Sequence, residues 1–132
     1  MPQTPGLENT RQTILVVDDD PTVLTFVSGF LNGQYNLILA NNGLEAVQRA
    51  KDFKEEIHLL LSDFSMVGMT GIEVATQITL ERPQIKVLLM SGFTGGMLVL
   101  NEGWHFLAKP FIPSQLRTLI AGLIAPAPKT RF

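Results

Sequence analysis

Apolar residues fall into short, mostly continuous bursts along this chain, separated by longer stretches in which they recur every three or four positions. The bursts are Ile14 to Val17, Leu37 to Ala40, Ile57 to Leu61, Ile85 to Met90 and Phe106 to Ala108. Being continuous rather than alternating, they read as strands covered on both faces. The stretches between them carry helix signals. Pro21 can take the first helical position with Asp20 as cap, and Val23, Leu24, Val27, Phe30 and Leu31 then share one stripe. Asn42 with Glu45, and Thr70 with Glu73, have capping-box spacing, while Arg82-Pro83 closes the helix begun at Gly71. A last helix is predicted from about Pro113 to Ile124. Strands alternating with helices in this way predict an α/β fold, a doubly wound five-stranded parallel sheet with helices on both faces.

Length and composition narrow the picture. With 132 residues the chain has room for one domain with a substantial core. Residues 1–12, rich in Pro, Gly and polar types, read as a flexible leader or linker, 13–124 as the folded unit and 125–132 as a disordered tail. The formal net charge of −2 offers no basic field, so direct nucleic-acid binding is not expected. The absence of cysteine excludes disulfides, a thiolate nucleophile and a zinc-cysteine site. The first residues lack the basic and apolar regions of a signal peptide, and the run Leu119 to Ala125 is far short of a membrane span. A cytoplasmic protein without membrane association is expected.

The ends of the bursts carry the chemistry. In a doubly wound sheet, ligands bind beyond the carboxyl ends of the strands. There the bursts finish at Asp18-Asp19, Asp63, Ser91 and Lys109. Two carboxylates about 4 Å apart repel by roughly 4 kcal/mol at an effective dielectric near 20, so the acidic group calls for a compensating cation. A hard cation such as Mg²⁺ takes oxygen ligands. A phosphoryl group arriving on an aspartate would be balanced by that cation and Lys109, with Ser91 donating a hydrogen bond. Asp20 is expected to serve only as a helix cap. His58 and His105 lack ligand spacing and read as packed or edge histidines, and SGFTGG matches no phosphate-binding loop.

Four motifs, VVDDD, LLLSDFSMVGMTG, VLLMSGF and FLAKPF, stand in the order found in the receiver domains of two-component response regulators, and residues 13–124 resemble that CheY-like superfamily. The resemblance implies a flavodoxin-like receiver fold with Asp63 as phosphoacceptor. It makes Asp18, Asp19 and Asp63, with the backbone carbonyl of Ser65, the ligands of Mg²⁺ or Mn²⁺. Ser91 becomes the switch hydroxyl, Lys109 the charge-balancing lysine and Phe106 the aromatic that rotates with the switch. Ser65 and Phe93 occupy positions that tune hydrolysis of the acyl phosphate, and Lys109-Pro110 matches a bond that is usually cis. The implied partners are a histidine kinase or histidine phosphotransfer protein and a downstream protein. The domain is then a signalling module rather than an enzyme, catalysing at most its own phosphorylation and dephosphorylation. SGF and FLAKPF also resemble receivers attached to hybrid sensor kinases.

The chain departs from the family pattern in three places. Val67 stands where proline is usual, predicting a less rigid loop. Gly92 replaces a small residue such as alanine. Ser91 and Lys109 are 18 positions apart, about one helical turn short of the family spacing, so a shortened fourth helix is expected over Gly95 to Asn101. Met97, Leu98, Val99 and Leu100 cannot all face inward on it, which predicts an altered output face, a homodimer through that face as one use of it, and ordering or exposure of residues 94–103 on phosphorylation.

Two other functions compete. Asp18-x-Asp20-x-Thr22 resembles the nucleophile motif of haloacid-dehalogenase phosphohydrolases, with Asp18 as nucleophile. No Asp or Glu follows Glu102 to supply that group's later metal ligands, and Asp63 would be left without a role. A receiver-like docking module that is never phosphorylated is the other reading, and the intact acidic, hydroxyl and lysine set argues against it.

Overall fold

Five strands and, among the described residues, four helices alternate along the chain. The structure is a computed structural model and describes residues 11–92 and 103–125. In chain order they are β1 (Thr13–Val17), α1 (Pro21–Leu31), β2 (Asn36–Ala40), α2 (Gly43–Asp52), β3 (Leu59–Asp63), α3 (Gly71–Glu81), β4 (Lys86–Ser91), β5 (Trp104–Ala108) and α4 (Pro113–Ile124). The helix starts follow the capping logic of the sequence. Asp20 accepts from the Thr22 N–H at the head of α1, Asn42 accepts from the Glu45 N–H at the head of α2, and Thr70 and Glu73 form a reciprocal capping box on α3. The Glu45 carboxylate reaches the Asn41 N–H, one residue before the cap, rather than completing a box with Asn42.

All strands are parallel, in the order β2-β1-β3-β4-β5. Chain progression reverses direction between β1 and β3, which opens a crevice at the carboxyl ends of the central strands. The register pairs Val17 with Ser62, Asp63 with Met90 and Ser91 with Ala108, so those ends lie level. Because successive side chains on a strand point to opposite faces, the sheet builds two cores. Leu15, Val17, Leu60, Val87 and Leu89 pack with Ala46, Ala50, Val74 and Ile78 of α2 and α3. Ile14, Val16, Leu59, Leu61, Leu88 and Met90 pack with Val27 and Leu31 of α1 and Leu116, Ile120 and Ile124 of α4.

Three expectations need revision. Burial on both faces holds throughout β1 and β3 and nearly throughout β4, but β2 and β5 are largely half-exposed, because they are the sheet edges. The third burst is shifted: Ile57 is buried but precedes β3, which instead runs on to Asp63. Gln12, placed with the leader, belongs to the body, since its carbonyl accepts from the Asn36 N–H at 2.9 Å and its side chain donates to the Ile124 carbonyl. The shortened helix expected over 95–101 and the behaviour expected of residues 94–102 lie outside the described residues, as do positions 1–10 of the leader and 126–132 of the tail. Among the described residues, no helix is long and apolar enough to cross a membrane.

Candidate functional site

The strand ends deliver four polar side chains to one crevice. Asp18 follows β1, Asp63 ends β3, Ser91 ends β4 and Lys109 follows β5. Asp18, Asp63 and Ser91 are buried, at 1%, 8% and 3% exposure. Buried charges persist only when paired. Here the partner is Lys109, whose Nζ donates to Asp63 Oδ1 at 2.8 Å and lies 3.5 Å from Asp18 Oδ2. Lys109 is itself placed by its main chain: its N–H donates to the Ser91 carbonyl, and the Lys109-Pro110 bond that follows is cis.

The electrostatics follow from this crowding. Burial pushes the Asp18 carboxyl above its ordinary value. The Asp63 charge adds to that shift, while the Asp20 N–H and Lys109 oppose it. Burial alone would lower the Lys109 ammonium, but its hydrogen bond to Asp63 and the charges of Asp18 and Asp63 outweigh it and hold the lysine above its ordinary value.

Asp19, the exposed member of the group, is also tied to the loop after β3, where its Oδ2 accepts from the Val67 N–H at 3.2 Å. One carboxylate oxygen from each of Asp18, Asp19 and Asp63 lies within 4.8 Å of the others. Three hard oxygen donors against one ammonium leave negative charge uncompensated, and that donor set suits a divalent cation that keeps part of its water shell. The site therefore fits Mg²⁺ or Mn²⁺.

This arrangement, at the carboxyl edge of a 2-1-3-4-5 sheet, can be set beside known proteins. A model of the response regulator receiver domain matches residues 14–121. The chain belongs to the response regulator receiver family. The transcriptional regulatory protein ZraR of Klebsiella oxytoca is 39% identical over 117 residues, covering 85% of this chain and 26% of ZraR. The chain thus spans about a quarter of that relative's length. Among solved structures, the receiver domain of the hybrid histidine kinase CckA superposes with a TM-score of 0.76 at 26% identity, over 85% of this chain and 98% of that domain. A CheY-like receiver from Methanospirillum hungatei superposes with a TM-score of 0.78 at 25% identity, over 87% and 94% of the two chains. The flavodoxin-like fold is thereby shared, and the module is a receiver domain of two-component signalling.

Within the receiver, Asp20 stays out of the crevice and caps α1, and its N–H donates to Asp18 Oδ1 at 2.9 Å. Phe106 lies edge-on to Phe64, ring centroids 6.2 Å apart, which places it one residue from Asp63. Ser65 is exposed in the loop after β3, and Phe93 lies outside the described residues. His58 is structural: its Nδ1 accepts from the Thr13 N–H at 3.0 Å at the far end of the sheet. Two features were missed from sequence. A Cβ on Gly71 would fall against the Asp63 carbonyl oxygen, so only glycine lets α3 start beside the acidic site. Its place as the last residue of LLLSDFSMVGMTG was the signal. The Val67 amide contact could not have been found, because it depends on how the loop folds back over Asp19.

Proposed function

We propose that this receiver takes a phosphoryl group from a histidine kinase or histidine phosphotransfer protein onto Asp63. A carboxylate oxygen of Asp63 attacks the donor phosphorus. The P–N bond of the phosphohistidine breaks as the P–O bond forms, and its electron pair leaves with the imidazole. Lys109, already 2.8 Å from Asp63, holds one carboxylate oxygen and offsets the incoming charge. Ser91, ending the adjacent strand, donates to a phosphoryl oxygen once the group is attached. Asp18, Asp19, Asp63 and the Ser65 carbonyl would hold Mg²⁺ or Mn²⁺, which would supply positive charge to offset that of the phosphoryl group. Phe106, packed on Phe64, transmits the rearrangement of Ser91 to a face that includes β5 and α4, where a downstream protein or a second copy binds. Ser65 and Phe93 tune water access to the acyl phosphate. The unit carrying this function spans 13–124 together with Gln12, works in the cytoplasm and acts as a switch rather than as an enzyme on other substrates.

The observation that carries this reading is the Lys109 bridge between Asp63 and Asp18 beside a third carboxylate at the crevice of a receiver fold. The haloacid-dehalogenase reading loses its second aspartate, since Asp20 caps α1 and leaves Asp18 alone among that motif's acids in the crevice. Intact mass after incubation with acetyl phosphate and Mg²⁺ tests the proposal. One added phosphoryl group that is absent in Asp63→Asn is expected. Retention of the adduct in that variant, or no adduct in wild type, would overturn it.

A further inference from the structure

We infer that the main-chain amide of Val67 is a positioning group for the divalent cation, holding the one exposed carboxylate of the acidic group in place before the ion arrives. The inference rests on the proposed metal site. Asp18 is fixed by burial, by the Asp20 N–H at 2.9 Å and by Lys109, and Asp63 is fixed by burial and Lys109. Asp19 has neither burial nor a cationic partner; among the described residues its carboxylate is held by the Val67 N–H alone, at 3.2 Å. A carboxylate has about four lone-pair sites, so one amide bond leaves ample capacity for an ion. Left free, Asp19 would have to be ordered by the ion itself, and that entropy would come out of the binding affinity.

The residue's own properties point the same way. Val67 is 87% exposed, so packing does not explain what position 67 contributes. Its amide is aimed by the loop on either side. The Gly71 N–H donates to the Phe64 carbonyl at 2.8 Å, Gly68 adopts φ +93°, and Met69 packs so tightly on α2 that a Cβ on Gly43 would lie 2.6 Å from its Cβ. Proline, the residue expected here from the receiver pattern, has no N–H and could not make this bond. The departure at Val67 therefore supplies a donor as well as removing a ring.

Hydrogen bonds to metal-ligating carboxylates typically change affinity by 10- to 100-fold. Titration calorimetry of the full chain with Mg²⁺ is the test, on wild type, Val67→Ala, Val67→Pro and a chain with 2-hydroxy-3-methylbutanoic acid, the α-hydroxy acid analogue of valine, at position 67, which replaces the N–H by an ester oxygen without the proline ring. Val67→Ala is expected to bind as wild type, and the two chains lacking the donor about tenfold more weakly. Without metal, Val67 amide hydrogen exchange should be faster in Asp19→Ala than in wild type. Binding within about twofold of wild type in both donor-less chains, tighter binding in them, or unchanged amide exchange would overturn the inference while leaving the metal site intact. No Mg²⁺ binding by wild type would overturn the site and this inference together.

Discussion

The Lys109 ammonium sits 2.8 Å from the Asp63 carboxylate, so the receiver balances part of the charge of its acidic crevice within its own fold. Lys109 follows the edge strand β5 and Asp63 ends the central strand β3, and β4 lies between them. The same lysine also reaches Asp18, just past the end of β1, at 3.5 Å. Removing this one cation leaves two buried carboxylates facing each other.

For Lys109→Ala we therefore expect a loss of about 2 kcal/mol in the metal-free protein, below the full cost of breaking a buried pair because the lysine side chain is 26% exposed. Urea denaturation measures it. Phosphorylation of Asp63 by a small donor should slow by roughly tenfold or more, since a fixed charge at the acceptor is lost.

Asp18→Asn should act in the opposite direction on stability. Its folded-state carboxyl lies above the ordinary value, chiefly through burial, so the ionised form is disfavoured by folding. That penalty is present at neutral pH and disappears as pH falls below the raised value. In excess chelator the variant should gain on the order of 1 kcal/mol at pH 7, with the advantage vanishing in acid. Added Mg²⁺ should raise the Tm of wild type and not of the variant, because a ligand stabilises only the state that binds it.

Gly71→Ala should destabilise by about 1 to 3 kcal/mol, since its Cβ meets the Asp63 carbonyl and the start of α3 must shift. Phosphorylation should fall with it. Gly92→Ala, at a position with open space around it, should stay within about 0.5 kcal/mol of wild type in the same denaturation experiment.

Glu45 supplies a pH signature away from the site. Its carboxylate accepts from the Asn41 N–H at 2.8 Å and pairs with Arg49 at 3.0 Å. The Asn41 bond, reinforced by Arg49 against a small effect of burial, holds the carboxyl below its ordinary 4.5. A depressed folded-state value contributes stability above about 4.5 that is lost as pH falls through the lower value. Glu45→Gln should cost about 0.5 to 1 kcal/mol at pH 7, and its denaturation midpoint should converge on wild type as pH falls below about 4.5.

The sequence by itself determined the local structure and the location of the site. Continuous apolar bursts, helix caps at Asp20, Asn42 and Thr70, and the prolines at 21 and 113 are local signals, and each specifies its element through neighbours within a few residues. Parallel topology then brings every strand's carboxyl end to one edge, which is why the sequence alone groups Asp18, Asp63, Ser91 and Lys109. Tertiary structure decided what depends on long-range approach. It made β2 and β5 half-exposed edges, although their composition reads like that of β1. It brought Arg82 across to the carbonyls of Ala50, Phe53 and Glu55, where the sequence showed only a helix end. It set Gly71 against Asp63 and turned the Val67 amide toward Asp19, 48 residues away in the chain. Such contacts have no periodicity or cap to announce them, because their energy comes from main-chain groups whose meeting is set by how the loops close over the sheet.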